Sequence, residues 1–193
     1  FSWEQILLKL LSNPSIASKN WIYKQYDYQV QLNTVFKPGE SDAAVIRLRS
    51  QYESFKQNVF TGLAVSVDCN NRWVYLDPLR GSIAAVAEAS RNVTCVGALP
   101  VAITNNLNFS SPENDVGYWQ LSLTCNGIAE ACNILETPVT GGNVSLFNES
   151  KDKQGNITPI QPTPVIGMVG IINDVNKSIS SGWKNIDDEI WLI

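Results

Sequence analysis

Asp68, Glu88 and Asn92 are the oxygen-bearing side chains whose types and spacing first invite a chemical reading. Asp68 closes the run GLAVSVD, whose alternation predicts a strand, and Glu88 and Asn92 stand four apart in a helical pattern, a spacing that puts them on one helix face. Carboxylate and amide oxygens are what a hard cation such as magnesium takes, and magnesium in turn bridges phosphates. The same three residues also read as ordinary polar groups on an exposed helix face. A second cluster is Gly141, Gly142, Asn143, Val144 and Ser145. A glycine pair can turn successive backbone N–H groups toward an anion, and Asn143 and Ser145 add side-chain oxygens; an ordinary glycine turn is the other reading. Neither a phosphate-binding loop ending in Gly-Lys-Ser/Thr nor a dinucleotide fingerprint is present. A third run, Thr104 to Pro112, has asparagines at 105, 106 and 108, which would bond a base or phosphate, or cap one another in a turn. The chain has no histidine, so no Ser-His or Cys-His nucleophile is available. Acid–base chemistry would fall to Asp, Glu or another domain.

The elements that position these groups follow from periodicity. Trp3, Ile6, Leu7, Leu10 and Leu11 share a helical face over 2–11, with Ser2 as cap and Asn13-Pro14 as stop. A second helix is expected around 17–26, a turn at Pro38-Gly39, a strand at 43–48 and a loop or hairpin arm at 49–58. A strand over 63–67 follows, then a loop from Asn70-Asn71. Asp77 caps a helix running from Pro78 to about Val96, whose alanines and Gly81 point to close packing. Pro100 opens a strand, 116–135 forms the longest helix, 150–156 reads as a hairpin or lid tip, and 165–172 is a buried strand. The last residues, EIWLI, read as the start of a strand of a following domain. The fold class is α+β: a mixed, antiparallel-containing sheet with helices on one face. The expected organisation is an N-terminal helical or linker segment at 1–35, an α/β domain at 36–175 and a connector at 176–193.

Composition narrows the classes. Hydrophobic residues make up 44% and charged residues 17% of 193, a low charge fraction for a freestanding domain, as expected where part of the surface is covered by another domain. The net charge is -4, with no basic run beyond pairs, which argues against a nucleic-acid groove. No segment reaches 18 consecutive apolar residues, the length that reads as a spanning helix. The N-terminus has no basic stretch of a signal peptide, and its opening on Phe1 is read as the cut end of a longer chain. Cys69, Cys95, Cys125 and Cys132 lack Cys-x-x-Cys spacing, and are expected to be free thiols in a reducing, cytoplasmic setting.

Several runs together resemble one family. They are NPSIASKNWIYKQYDYQVQLNTV at 13–35, SDAAVIRL at 41–48, VDCNNRWVYLDPLRGSIAAVAEASRN at 67–92, GALPVAITNNLNFSSPE at 97–113, GIAEACNILETPVTGGNVSLFNES at 127–150 and TPVIGMVGIINDV at 163–175. In order and over nearly the whole chain, they are similar to the N-terminal-type domain in the second half of the phosphoribosylformylglycinamidine synthases, of the aminoimidazole ribonucleotide synthetase superfamily. The resemblance implies an α/β domain whose apolar sheet face pairs with a sister domain, and an isolated domain that forms a homodimer through that face. It implies part of an ATP- and Mg2+-dependent ligase of purine biosynthesis, which amidates formylglycinamide ribonucleotide with glutamine-derived ammonia. The implied partners are the remaining domains of the same synthase, a glutaminase subunit and a small accessory subunit, with neither nucleic acid nor membrane.

Carried onto this chain, the resemblance implies that Gly142 and Asn105 contact ATP, Asn143 helps hold magnesium and Ser145 touches the phosphate side of the substrate. It also makes Asp68, Glu88 and Asn92 magnesium ligands of an auxiliary nucleotide site. The chain departs from the family pattern at Asn105, where aspartate is usual, at Ser110 for glycine, at Tyr28 for histidine and at Asn71 for proline. The family's catalytic histidine lies in the other half, so this segment is not expected to turn over alone. A non-catalytic nucleotide-binding or scaffold paralogue is the alternative reading.

Overall fold

Every second residue of Thr163–Ile172 (β7) is buried: Pro164, Ile166, Met168, Gly170 and Ile172. Such period-2 burial is the mark of a strand with one face on a core. The computed structural model, which describes residues 2–49 and 60–191, places this strand at the centre of the main sheet. The sheet has five strands in the order β1-β2-β7-β3-β4, where β1 is Ala44–Arg47, β2 Gly62–Asp68, β3 Leu99–Asn108 and β4 Val139–Ser145. All neighbours are antiparallel except β3 and β4, which are parallel. A separate hairpin joins Glu149–Lys151 (β5) to Ile157–Pro159 (β6), as expected for the polar 150–156 insert.

The helices are Trp3–Leu11 (α1), Asn20–Tyr23 (α2), Asn71–Leu76 (α3), Pro78–Cys95 (α4) and Asp115–Leu135 (α5). Helix α4 lays Ala85, Val86, Ala89 and Val93 into the core with Ala64, Ile103, Ile166 and Met168, and the Ser66 hydroxyl donates to the Ala89 carbonyl at 3.0 Å. Helix α5 packs on α4. At their crossing a Cβ on Gly127 would collide with the Ser82 hydroxyl and the Leu79 carbonyl, so only glycine permits this approach. Polar side chains start α3, α4 and α5. Asn70 accepts from the Trp73 N–H at 3.2 Å, Asp77 from the Arg80 N–H at 3.0 Å and Asn114 from the Gly117 N–H at 2.7 Å. The result is the expected mixed α/β fold with a sheet covered by helices.

Some local expectations change. Asn70-Asn71 was expected to open a loop, but Asn70 caps α3 and the chain turns helical at once. The helix expected around 17–26 is confined to Asn20–Tyr23. Glu189, Ile190 and Trp191 form no strand. The loop or arm expected at 49–58 lies outside the described residues from 50 onward.

Two surfaces stay open. Helix α1 has the Ser2–Gln5 capping box expected of its cap, yet none of its residues is buried. The sheet face away from α4 carries Ile46, Val67 and Ile171, exposed at 40%, 68% and 40%. The C-terminal segment crosses back over the core: Val175 N–H donates to the Phe60 carbonyl at 2.7 Å, Ile179 N–H to Val96 at 3.2 Å and Ser181 N–H to Glu40 at 2.9 Å. Among the described residues no helix is long and apolar enough to cross a membrane.

Candidate functional site

Strand register assembles the site. Asp68 pairs with Ile166, Ile166 with Asn105, and Asn105 with Gly142. These four positions form one row across β2, β7, β3 and β4, and partners in a row point to the same side. Ile166 is buried, so this row faces the helices. The next row, Val165, Asn106 and Asn143, faces the open side, as does the row of Thr163, Asn108 and Ser145. The expected site residues therefore converge on one end of the sheet, divided between its two faces.

On the helix side, Asn105 lies directly over Gly142, where a Cβ would collide with Asn105 Oδ1. Glycine is required there by contact. Neither reading of Gly141-Gly142, an anion nest or an ordinary glycine turn, is what forms. Both glycines lie inside β4, paired to β3, and neither has a positive φ. Thr104 Oγ1 donates to the Gly141 carbonyl at 3.0 Å and Thr140 Oγ1 to the Ile103 carbonyl at 3.1 Å, pinning the pair in the ladder. What β4 offers is an edge: its outward backbone groups have no strand partner among the described residues.

On the open side, Asn143 Nδ2 donates to Asn106 Oδ1 at 3.1 Å, which leaves Asn143 Oδ1 as an acceptor. A depression of about 350 Å³ lies beside this pair, lined by Val67, Thr104, Asn105, Asn106, Gly142, Asn143, Val165 and Gly167. Ser145, at the end of β4, donates its hydroxyl to Asn148 Oδ1 at 3.2 Å. The three asparagines of the Thr104 run lie within β3, so the turn-capping reading gives way to strand positions.

The Asp68 cluster is assembled by β2 and α4. Asn92 Nδ2 donates to Asp68 Oδ1 at 2.9 Å. Asp68 Oδ2 is shielded from water and accepts no hydrogen bond, an arrangement that is costly for a carboxylate oxygen. Burial pushes the Cys69 thiol up, and the negative charge of Glu88 pushes it further. Glu88 is thus close to the residue that follows Asp68. Two carboxylates and an amide, one oxygen of them orphaned, fit a hard cation. No group of three or more His, Cys, Asp or Glu able to hold a metal occurs among the described residues, so an amide or outside oxygens must complete any coordination here.

Sequence reasoning missed Asn106 as the partner of Asn143 and Asn148 as the partner of Ser145. The only signal for the second was the Phe-Asn-Glu run three residues beyond the serine.

The fold is a helix-covered mixed sheet whose asparagines and edge glycines gather at one end. The family described as AIR synthase related protein, N-terminal domain, matches residues 40–172, and the chain belongs to it. Its sequence is 75% identical over all 193 residues to the phosphoribosylformylglycinamidine synthase subunit PurL of Prochlorococcus marinus (strain MIT 9301). That match covers 100% of this chain but 25% of the relative, so the chain spans about a quarter of the curated relatives it matches. Among solved structures, PurLQS from Thermotoga maritima superimposes with a TM-score of 0.71 at 31% identity, covering 89% of this chain and 28% of that one. T. maritima PurL complexed with ATP gives a TM-score of 0.66 at 32% identity, covering 81% of this chain and 24% of that one.

Proposed function

We propose that this chain is a segment of phosphoribosylformylglycinamidine synthase, in the position of the N-terminal domain of its second half. The observation that carries the reading is the 75% identity, end to end, with a PurL subunit. In the complete enzyme, ATP would activate the amide oxygen of formylglycinamide ribonucleotide as a phosphate ester. Ammonia derived from glutamine would displace that phosphate and leave the amidine. The chain's own residues bind and orient. Gly142, kept bare under Asn105, lets a nucleotide approach the β4 edge. Asn143, its amide N–H already committed to Asn106, presents Oδ1 to the magnesium that accompanies ATP. Ser145 meets the phosphate side of the ribonucleotide. Magnesium supplies charge neutralisation for the phosphates when bound. Asp68, Glu88 and Asn92 hold a second cation at an auxiliary nucleotide site, supported by the orphaned Asp68 Oδ2.

The open sheet face is read as the surface for the sister domain, or for a second copy when the domain is alone. A solved relative described as PurLQS supports glutaminase and small accessory subunits as further partners, and a cytoplasmic location accompanies that reading. The domain plan of a linker at 1–35, a core at 36–175 and a connector at 176–193 belongs to the same proposal.

The test is ammonia-dependent release of ADP by the complete synthase. Asn143→Ala should weaken use of magnesium-ATP by roughly tenfold or more, the scale of one lost charge-assisted contact; unchanged kinetics would remove Asn143 from the site. Asn105, where the family usually has aspartate, favours a second reading as a non-catalytic paralogue. Growth of a purine-requiring strain on the complete gene separates the two readings, since a binding-only paralogue would not restore it.

A further inference from the structure

Ser145 is not held by its own strand alone. Asn148 Nδ2 donates to two carbonyls, those of Ser145 at 2.8 Å and Phe109 at 3.1 Å. Carbonyls only accept, so the amide has one workable orientation, with Oδ1 turned to the Ser145 hydroxyl at 3.2 Å. An amide oxygen also only accepts, so the hydroxyl proton is directed at it and the serine rotamer is set. The backbone repeats the clasp: Asn148 N–H donates to the Phe109 carbonyl at 3.1 Å, Phe109 N–H to the Ser145 carbonyl at 3.0 Å, and Ile160 N–H to the Asn148 carbonyl at 3.0 Å. Phe147, at φ +59°, makes the sharp reversal that brings Asn148 back under Ser145. One residue thus joins the ends of β3 and β4 to the segment that leaves the β5–β6 hairpin at Ile160.

We infer that Asn148 is a positioning residue for the ribonucleotide substrate. It fixes the Ser145 rotamer and holds the hydroxyl proton until a substrate oxygen arrives. A phosphate oxygen can only accept, so on binding the O–H turns from Asn148 Oδ1 to the phosphate, and no covalent bond changes. Asn148 itself does not touch substrate. This rests on the reading of Ser145 as a substrate contact.

The experiment is steady-state kinetics on the complete synthase carrying Ser145→Ala, Asn148→Ala or both. Each single change should raise KM for the ribonucleotide roughly three- to tenfold, the scale of one hydrogen bond. KM for ATP should stay within about twofold, and the double variant should be no worse than Ser145→Ala, because both changes remove one interaction. Full additivity, or an equal rise in both KM values for Asn148→Ala, would make Asn148 a fold clamp only and overturn the inference. A response to Ser145→Ala without one to Asn148→Ala would also overturn it while sparing the Ser145 reading. No response to Ser145→Ala would end that reading and the inference with it. If Asn148→Ala does not fold, Asn148→Gln, which keeps both amide groups one methylene further out, carries the same comparison.

Discussion

Asp68 and Glu88 show how much a site depends on atoms that a sequence does not reveal. An orphaned, water-shielded oxygen costs about 1–3 kcal/mol, and Asp68 Oδ2 is one. In chelator, Asp68→Asn should therefore leave the melting temperature of the chain unchanged or higher. Added magnesium should raise the melting temperature of the wild type and not of the variant; equal responses in a thermal-shift series would exclude Asp68 as a ligand. The neighbouring thiol reports on Glu88. Cys69 is held up by burial and then by the Glu88 charge, so at a given pH below its pKa it has less thiolate than an ordinary cysteine and alkylates slowly. Glu88→Gln removes the second cause and lowers the pKa, so site-resolved alkylation near pH 8 should speed up by less than about tenfold, and the difference should fade as pH rises and both thiols ionise. Asp77 as a cap and the shared helix of Glu88 and Asn92 were legible in the sequence, because capping and i,i+4 spacing are local. The direction of the Asn92 amide was not, since it depends on where β2 ends relative to α4. The Gly141-Gly142 pair misled for the same reason: glycine permits a nest, but pairing with β3 decides for a strand.

Elements follow their periodicity well where the period is long. The α4 and α5 spans and the buried strand β7 were all legible. The three-dimensional order of the strands was not, because nothing local places the last strand between the second and third. Helix α3 escaped notice because its six residues give too short a window for a helical period, and only its Asn70 cap betrays it. Packing between elements gives the sharpest test. Gly127→Ala puts a methyl into the Ser82 hydroxyl and the Leu79 carbonyl at the α4–α5 crossing, so the helices must separate. That should destabilise the chain by about 1–3 kcal/mol, measured as a shift in urea midpoint at constant slope; a neutral result would mean the crossing relaxes freely. Helix α1 behaves oppositely. None of its residues is buried, so removing residues 1–12 should leave the melting temperature of the core unchanged.

At the scale of the whole molecule, the described residues present an apolar sheet face that no helix among them covers. Val67 and Ile171 stand on it, exposed at 68% and 40%. Sedimentation of the isolated chain should show concentration-dependent self-association, and Val67→Asp should abolish it while preserving the circular dichroism spectrum. A monomeric wild type at high concentration would leave that face to other domains only. The central place of β7 has a further consequence, for synthesis. This strand is the last in the sequence, yet it supplies the partner of both β2 and β3. Until Ile172 has left the ribosome, β2 and β3 have no bridge, and the buried half of the sheet stays open to other chains. Folding must wait for contacts of long sequence separation, which makes it slow, and the growing chain must remain soluble with two unmatched strand edges until β7 threads between them. A ribosome stalled shortly before residue 163 would hold α1 to α5 and two separate strand pairs, β1 with β2 and β3 with β4, with nothing to join them.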